Sequence, residues 1–258
     1  MKGTFVIYKK ELASFFMSPL FYFISFLMTM LLSVMFSISL DKFSAASSNP
    51  MLALNASGQQ QSIHYAVFLP HLSLVNLMLM FLVPALSMRL LAEEKKMRTF
   101  DLLLTSPVSS AAIVIGKYLA TLTTILALIM ISLIYPIITR RMAEFSFAPT
   151  LTASFGIFLV AAVYAAMDLL ASSLTESGLI AFIVAIMFNL GIWFLGAINE
   201  SFDGPLAKKV FEHISLNTHL TGMIEGTIRT NGLVFFFSLV FLFCFLTERV
   251  VESARWRD

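Results

Sequence analysis

The stretch GLIAFIVAIMFNLGIWFLGA, residues 178–197, contains no charged side chain. Since an α-helix rises about 1.5 Å per residue, about 20 apolar residues cross the roughly 30 Å of hydrocarbon in a bilayer. Similar runs recur, and we predict six spanning helices: Leu20–Leu40, Val67–Leu91, Ala111–Ile138, Leu151–Ser172, Gly178–Ala197 and Gly232–Thr247. The runs lack the alternation of barrel strands. The predicted fold class is therefore all-α integral membrane.

The overall composition agrees with a membrane protein. Of 258 residues, 59% are hydrophobic and only 12% are charged, which excludes an ordinary soluble domain. The sixth run is short, so we expect its helix to start earlier or the bilayer to thin around it. The single cysteine, Cys244, lies in that run and is expected to be a packing residue, since it has no partner for an internal disulfide.

The distribution of Lys and Arg predicts the orientation. With a cytoplasmic N-terminus, eleven of these residues fall on the inner side and six on the outer side. Both termini are then cytoplasmic. Residues 1–19 carry Phe and Leu on one helical face, with Lys9, Lys10, Glu11 and Ser14 largely on the other, and predict an interfacial helix that ends at Ser18-Pro19; a mere positively charged flank is the alternative. Residues 198–231 predict one or two amphipathic helices that dip into the outer side without crossing it, or else a plain loop.

Pro84, Arg89 and Asp168 are among the polar or helix-breaking residues within the predicted spans. Pro84 is expected to kink the second span, with neighbouring helices accommodating the carbonyl group that it frees. Arg89 is expected at the inner interface. Asp168, in the fourth span, has two open interpretations: a member of a proton relay, or a satisfied or interfacial carboxylate near Ser172, Ser173 and Glu176.

No enzymatic motif is visible. Gly116-Lys117 is followed by Tyr118 and lacks the upstream glycine of a phosphate-binding loop. The sequence also lacks a His-Glu-x-x-His metal helix and a Gly-x-Ser-x-Gly elbow. We therefore predict a protein that is not an enzyme and that holds no metal or cofactor. The energy for any transport would come from a partner or from an ion gradient.

The longest charged segment between two spans begins at Glu93 and reads EEKKMRTFDLLLTSPV to Val108, followed by GKYLA at residues 116–120. It resembles the signature of type-two ATP-binding-cassette (ABC) exporter permeases. Other segments are similar to the gliding-motility (Gld) permease subgroup: Lys10-Glu11-Leu12 through Ser18-Pro19, residues 171–176, and the C-terminal end. The family often has glycine where this chain has Arg98, and the subgroup often has glycine near Met167-Asp168.

The resemblance implies a single permease domain over residues 1–258, with an interfacial elbow helix at 1–19, a cytoplasmic coupling segment at 92–110 and an outer re-entrant segment at 198–231. The coupling helix would dock in a groove of a separate cytoplasmic ATPase that uses ATP and magnesium. The apolar run 102–104 would anchor it between orienting charges. The predicted ATPase-coupling residues are Glu93, Glu94, Arg98, Thr99, Asp101, Leu102, Leu103, Leu104 and Pro107.

The expected partners are that ATPase, a second permease chain in a homo- or heterodimer, membrane lipids and an outer-side or periplasmic accessory protein, but no nucleic acid. The expected location is the inner (plasma) membrane. Two other functions remain open. A stand-alone secondary transporter predicts paired ionisable residues at mid-membrane and an internal repeat. A membrane anchor would transmit ATPase motion without transporting anything. The 26 Phe and 15 Met suit hydrophobic cargo, or simply lipid-facing packing.

Overall fold

A computed structural model describes residues 2–48, 62–100, 105, 108–198 and 213–255. These residues form helices and connecting turns. The first five helices are α1 (Lys2–Met17), α2 (Pro19–Ser48), α3 (Leu69–Ser87, preceded by the π-helical turn His64–Phe68), α4 (Ala92–Lys96) and α5 (Ser110–Ser132). The others are α6 (Ile134–Arg140), α7 (Ala148–Ser173), α8 (Gly178–Ile198), α9 (Leu216–Ile224) and α10 (Thr230–Arg255).

Among the residues that the structure describes, six helical segments are long and apolar enough to cross a membrane, which confirms the predicted number. They are Pro19–Ser48, His64–Lys96, Ser110–Arg140, Ala148–Ser173, Gly178–Leu195 and Thr230–Arg255. The sixth span is longer than predicted, because its helix starts at Thr230 and continues for 26 residues. The protein is an all-helical, multi-pass membrane protein.

Helix α7 is the centre of the bundle. In the most apolar 18-residue stretch of α7, 89% of the residues are buried, whereas only 17% are buried in the same length of α10. Small residues allow this central position, because they let neighbouring backbones approach closely. At Gly156 an added Cβ would lie 2.8 Å from Leu220 Cδ1 of α9. Helix α9 therefore packs directly on the N-terminal half of α7.

Proline interrupts the backbone hydrogen bonding of two of the spanning segments, and a side chain from a neighbouring helix caps each interruption, which is called here a break. Helix α3 itself continues through Pro84 to Ser87. Pro84 has no N–H, so the carbonyl of Met80, four residues earlier, loses its helical partner. Asn189 of α8 donates its Nδ2 to that carbonyl at 3.3 Å. The predicted accommodation of the Pro84 break by a neighbouring helix is confirmed.

The second break lies between α5 and α6. Pro136 leaves the Ser132 carbonyl without its helical donor, and His71 of α3 places Nε2 3.1 Å from that oxygen. Because a carbonyl only accepts, His71 Nε2 carries the hydrogen and donates it. At both breaks, the carbonyl that lost its partner therefore forms a hydrogen bond to a neighbouring helix.

One end of the bundle carries α1, α4, the start of α5 and the end of α10, and is called here the terminal face. Arg255 Nη2 donates to the Val108 carbonyl at 2.9 Å, and Ser110 bonds to Glu252, so the end of α10 lies beside the start of α5. At the opposite end, His64 Nε2 lies 3.2 Å from the Ile224 carbonyl at the end of α9.

The structure describes only part of the predicted outer segment 198–231. Within 198–231, residues 199–212 lie outside the described part of the chain, and the described remainder contains α9. Its buried residues are Leu216, Leu220 and Met223. The interfacial position of α1 and the re-entrant character of α9 stay predictions.

Candidate functional site at the terminal face

Four charged side chains from three separate helices meet at the terminal face. They are Lys10 and Glu11 of α1, Glu94 of α4 and Lys117 of α5, and together they are called the charge cluster. Lys117 Nζ lies 2.8 Å from Glu11 Oε1 and 2.9 Å from Glu94 Oε1. Lys10 Nζ lies 3.2 Å from Glu94 Oε1 and 3.5 Å from Glu11 Oε1. One lysine therefore joins α1, α4 and α5.

The side chains of the charge cluster differ widely in their solvent exposure. The side chain of Lys117 is 1% exposed and that of Lys10 is 64% exposed. Partial burial alone would lower the pKa of Lys10, but the nearby carboxylates of Glu11 and Glu94 raise it on balance. With two lysines and two glutamates the charges balance. Removing the buried lysine would leave two carboxylates with only the largely exposed Lys10 as a counter-charge, which is the costly case for a buried ion pair.

A glycine permits the helices to approach closely enough for these contacts. A Cβ at Gly116 would lie 2.9 Å from the Thr4 carbonyl oxygen and 3.0 Å from Ile7 Cβ. Ile7 and Glu11, one helical turn apart on α1, are both buried on the side that faces α5. About two turns further along α5, Thr123 Oγ1 lies 3.2 Å from Tyr8 Oη. Gly116 thus brings α1 onto α5, and Lys117 then meets Glu11.

The short helix α4 is also held at its start by α7. Ser172 Oγ accepts hydrogen bonds from the backbone N–H groups of Leu91 and Ala92, both at 3.1 Å, and donates to the Met88 carbonyl at 3.1 Å. These N–H groups have no partner within a helix that is just beginning. A side chain of the central helix therefore fixes where α4 begins.

A left-handed residue ends α4. Arg98 has φ of 56°, the backbone conformation that usually requires glycine at this place. The Arg98 N–H bonds to the Lys95 carbonyl at 3.1 Å, and the Thr99 N–H bonds to the Glu94 carbonyl at 3.0 Å. This pair of bonds is the Schellman arrangement of a helix end.

The predicted coupling residues divide into three groups. Glu93, Arg98 and Thr99 are exposed, and Glu93 pairs with Arg89 Nε at 3.2 Å. Glu94 instead points inward and belongs to the charge cluster. The remaining ones lie outside the described residues: Asp101, Leu102, Leu103, Leu104 and Pro107.

Sequence reasoning missed Glu11 and Lys117 as members of the site. Glu11 was expected on the polar face of α1, but it lies on the buried face. A signal for Lys117 existed, since it is the only charge in the apolar run 111–138 and directly follows a glycine. A lone lysine within such a run is expected to have a partner.

A separate cavity of about 360 Å³ lies between α3, α7, α8 and α9. Its polar lining is uncharged and includes Ser73, Asn76, Tyr164 and Thr221. Asp168, one helical turn from Tyr164 on α7, is 1% exposed. The central position of α7 therefore buries Asp168 among neighbouring helices, and its depth relative to the membrane surface stays a prediction.

Comparison with known proteins identifies the family of this chain. The family model described as ABC-2 family transporter protein matches residues 5–220, which is most of the chain. A comparison with curated proteins gives no match. The matched range includes α1, the charge cluster, α4 and the first five spans. The chain belongs to the ABC-2 family of transporter proteins.

Proposed function

We propose that this chain is the permease subunit of an ABC exporter and that the charge cluster receives motion from a separate cytoplasmic ATPase. The family match supports the class of protein. The observation that carries the coupling role is the position of Lys117, which binds carboxylates from α1 and α4 at the same time. A force on α4 would reach two other helices through one buried side chain.

The proposed docking surface is the exposed side of α4 and the turn after it, formed by Glu93, Lys96, Met97, Arg98 and Thr99. Met97 is 71% exposed, although it is a large apolar side chain in a charged segment. An apolar anchor surrounded by charges is the usual composition of a docking patch. Residues 101–104 and Pro107 would extend this surface.

Two routes would carry motion away from the docking surface. The first passes from Glu94 through Lys117 to α5 and α1. The second passes from the start of α4 through Ser172 to the central helix α7. Because α7 also lines the cavity, displacement of α4 would change the packing around that cavity. The uncharged polar lining of the cavity favours transport of a ligand over a purely mechanical anchor.

The remaining assignments belong to the same proposal. The terminal face is cytoplasmic, the membrane is the inner (plasma) membrane, and two permease chains pair. ATP and magnesium are bound by the ATPase, which also performs the hydrolysis. The similarity to gliding-motility permeases suggests that subgroup, in which force transmission to an outer-side partner is the alternative outcome of the same motion.

The experiment separates docking from transmission. The chain is co-expressed with a candidate cytoplasmic ABC ATPase, and both co-purification and the permease-dependent ATPase rate are measured. Met97→Glu with Glu93→Lys should abolish co-purification, because it reverses the charge and removes the apolar anchor. Lys117→Met should preserve co-purification and lose the stimulated ATPase rate.

Asp41→Asn is the matched control, since Asp41 is exposed at the far end of α2 and contacts no part of the terminal face. It should leave both measurements unchanged. Normal co-purification of the Met97→Glu, Glu93→Lys variant would contradict the docking surface. A normal stimulated rate with Lys117→Met would contradict the transmission role of the charge cluster.

A further inference from the structure

Asp168 occupies an unusual place for a carboxyl group. It lies on the central helix α7, is 1% exposed, and neither carboxyl oxygen has a hydrogen-bond partner of good geometry among the described residues. The polar side chains facing it are Ser87 of α3 and Asn189 of α8. An ionised carboxylate at membrane depth without a donor or a cation is costly.

The neighbouring donors are already engaged. Asn189 Nδ2 donates to the Met80 carbonyl at 3.3 Å, and Ser87 Oγ donates to the Pro84 carbonyl at 3.4 Å. Asn189 Oδ1 is itself a buried acceptor without a donor in the described part of the chain. Three acceptor oxygens, two from Asp168 and one from Asn189, therefore lack a donor in one region.

The cations of the surrounding elements are bound elsewhere. Lys117 pairs with Glu11 and Glu94, Lys95 donates to the Ser173 carbonyl, and Arg89 pairs with Glu93. His71 is engaged at the Ser132 carbonyl. Tyr164, one turn before Asp168 on α7, is a titratable side chain that interacts electrostatically with Asp168. None of these groups supplies a counter-charge to the carboxyl group.

We propose that Asp168 is a proton-binding site within the membrane-spanning bundle. One proton taken from water converts the carboxylate into a carboxylic acid, and its O–H donates to Asn189 Oδ1. Protonation removes the charge, and one of the three acceptors gains its donor. The neutral carboxylic acid is also less costly to bury than the carboxylate. Asn189 continues to donate to Met80, so the bound proton completes a chain from α7 through α8 to the Pro84 break of α3.

The position of this chain gives the proton a structural consequence. The break at Pro84 lies four residues before Met88, whose carbonyl is bound by Ser172, and α4 begins at Ala92. Loss of the proton would place a negative charge beside the Asn189 carbonyl oxygen and oppose this packing. The site depends neither on the ATPase nor on the identity of the cargo.

The test is infrared spectroscopy of the purified chain in lipid nanodiscs at neutral pH. The wild-type protein should show the carbonyl band of a buried, protonated carboxylic acid. Asp168→Asn should lack that band, and Asp41→Asn, the exposed control, should retain it. If Asp168→Asn folds poorly, carbon-13 aspartate labelling of the wild-type protein should shift the band. A spectrum with only ionised aspartate overturns the proposal and indicates a hydrated carboxylate.

Thermal unfolding supplies an independent readout. A carboxyl group that holds a proton only in the folded state makes stability fall as pH rises, because the unfolded aspartate is already ionised above about pH 4. The melting temperature of Asp168→Asn should therefore exceed that of the wild-type protein at about pH 8, with a smaller difference at about pH 5. An equal difference at both pH values would overturn the proposal.

Discussion

The terminal face and the membrane interior solve the same problem with different chemistry. At the terminal face, three helices are joined by full charges, with Lys117 between Glu11 and Glu94. In the interior, helices are joined by neutral donors that cap carbonyls freed by proline, as with Asn189 and Met80. Charges occur where one member of the cluster still reaches solvent. Neutral groups occur where no water compensates for desolvation.

The largest expected effect is the loss of the buried charge at the terminal face. Lys117→Met should lower the free energy of unfolding by about 3–5 kcal/mol, because Glu11 and Glu94 would lose their buried cation and keep only the largely exposed Lys10. Chemical denaturation in detergent measures the loss. Lys96→Met, at an exposed position of α4, is the control and should cost little.

Adding Glu11→Gln and Glu94→Gln to Lys117→Met should recover part of that loss, since the two carboxylates that have lost their buried cation disappear. No recovery in the triple variant would show that packing, and not charge, explains the effect of Lys117.

Gly116→Ala tests the close approach that brings the charged groups together. Its Cβ would meet the Thr4 backbone oxygen, which cannot rotate away as a side chain can, so a loss of about 2–3 kcal/mol is expected. Gly191→Ala is the matched control, because no heavy atom lies within 4 Å of a Cβ there. Equal unfolding curves for Gly116→Ala and Gly191→Ala would contradict the crowding at Gly116.

Asn189→Leu tests the interior in the same way. We expect a loss of about 1–2 kcal/mol, because the Met80 carbonyl would be left without a donor. Pro84→Ala restores a backbone N–H to that carbonyl, so Asn189→Leu should cost less in the Pro84→Ala background. A double-mutant cycle of unfolding free energies measures the difference. An unchanged cost would mean that Asn189 acts through another contact.

The smallest expected effect has the opposite sign. Arg98→Gly should stabilise the end of α4 by less than about 1 kcal/mol. The left-handed conformation costs a non-glycine residue about 1–2 kcal/mol, and the greater unfolded-state freedom of glycine offsets about 0.5–1 kcal/mol of the gain. Hydrogen exchange of the Thr99 amide should slow in Arg98→Gly but not in Arg98→Ala, which keeps the strain.

The parts predicted from the sequence are those that depend on local composition. Six apolar runs gave six helices, because the length needed to cross a bilayer is a property of each run alone. The accommodation of Pro84 was also predictable, since a missing N–H is certain from the residue type. That Asn189 would be the donor was not, because the pairing depends on how α8 packs on α3.

The charge cluster was missed for the same reason. Glu11 and Lys117 are distant in sequence, and only the contact of α1 with α5 at Gly116 brings them together. The amphipathic pattern of α1 placed Glu11 on the wrong face, since the helix has a protein neighbour on the side where a solvated polar face was expected. The burial of Asp168 likewise depends on the central position of α7, which composition does not reveal.

The proline break in α3 also fixes the axial register of two helices. An unbroken apolar helix offers no free carbonyl, so a neighbour can slide along it while its apolar contacts are exchanged for similar ones. The break creates a single acceptor at Met80, and Asn189 reaches it at only one position of α8. A slide of one helical turn, about 5.4 Å, would therefore cost this bond and separate Asn189 from Asp168. The backbone hydrogen bond that Pro84 removes from the second span thus limits how far α3 and α8 can slide past each other.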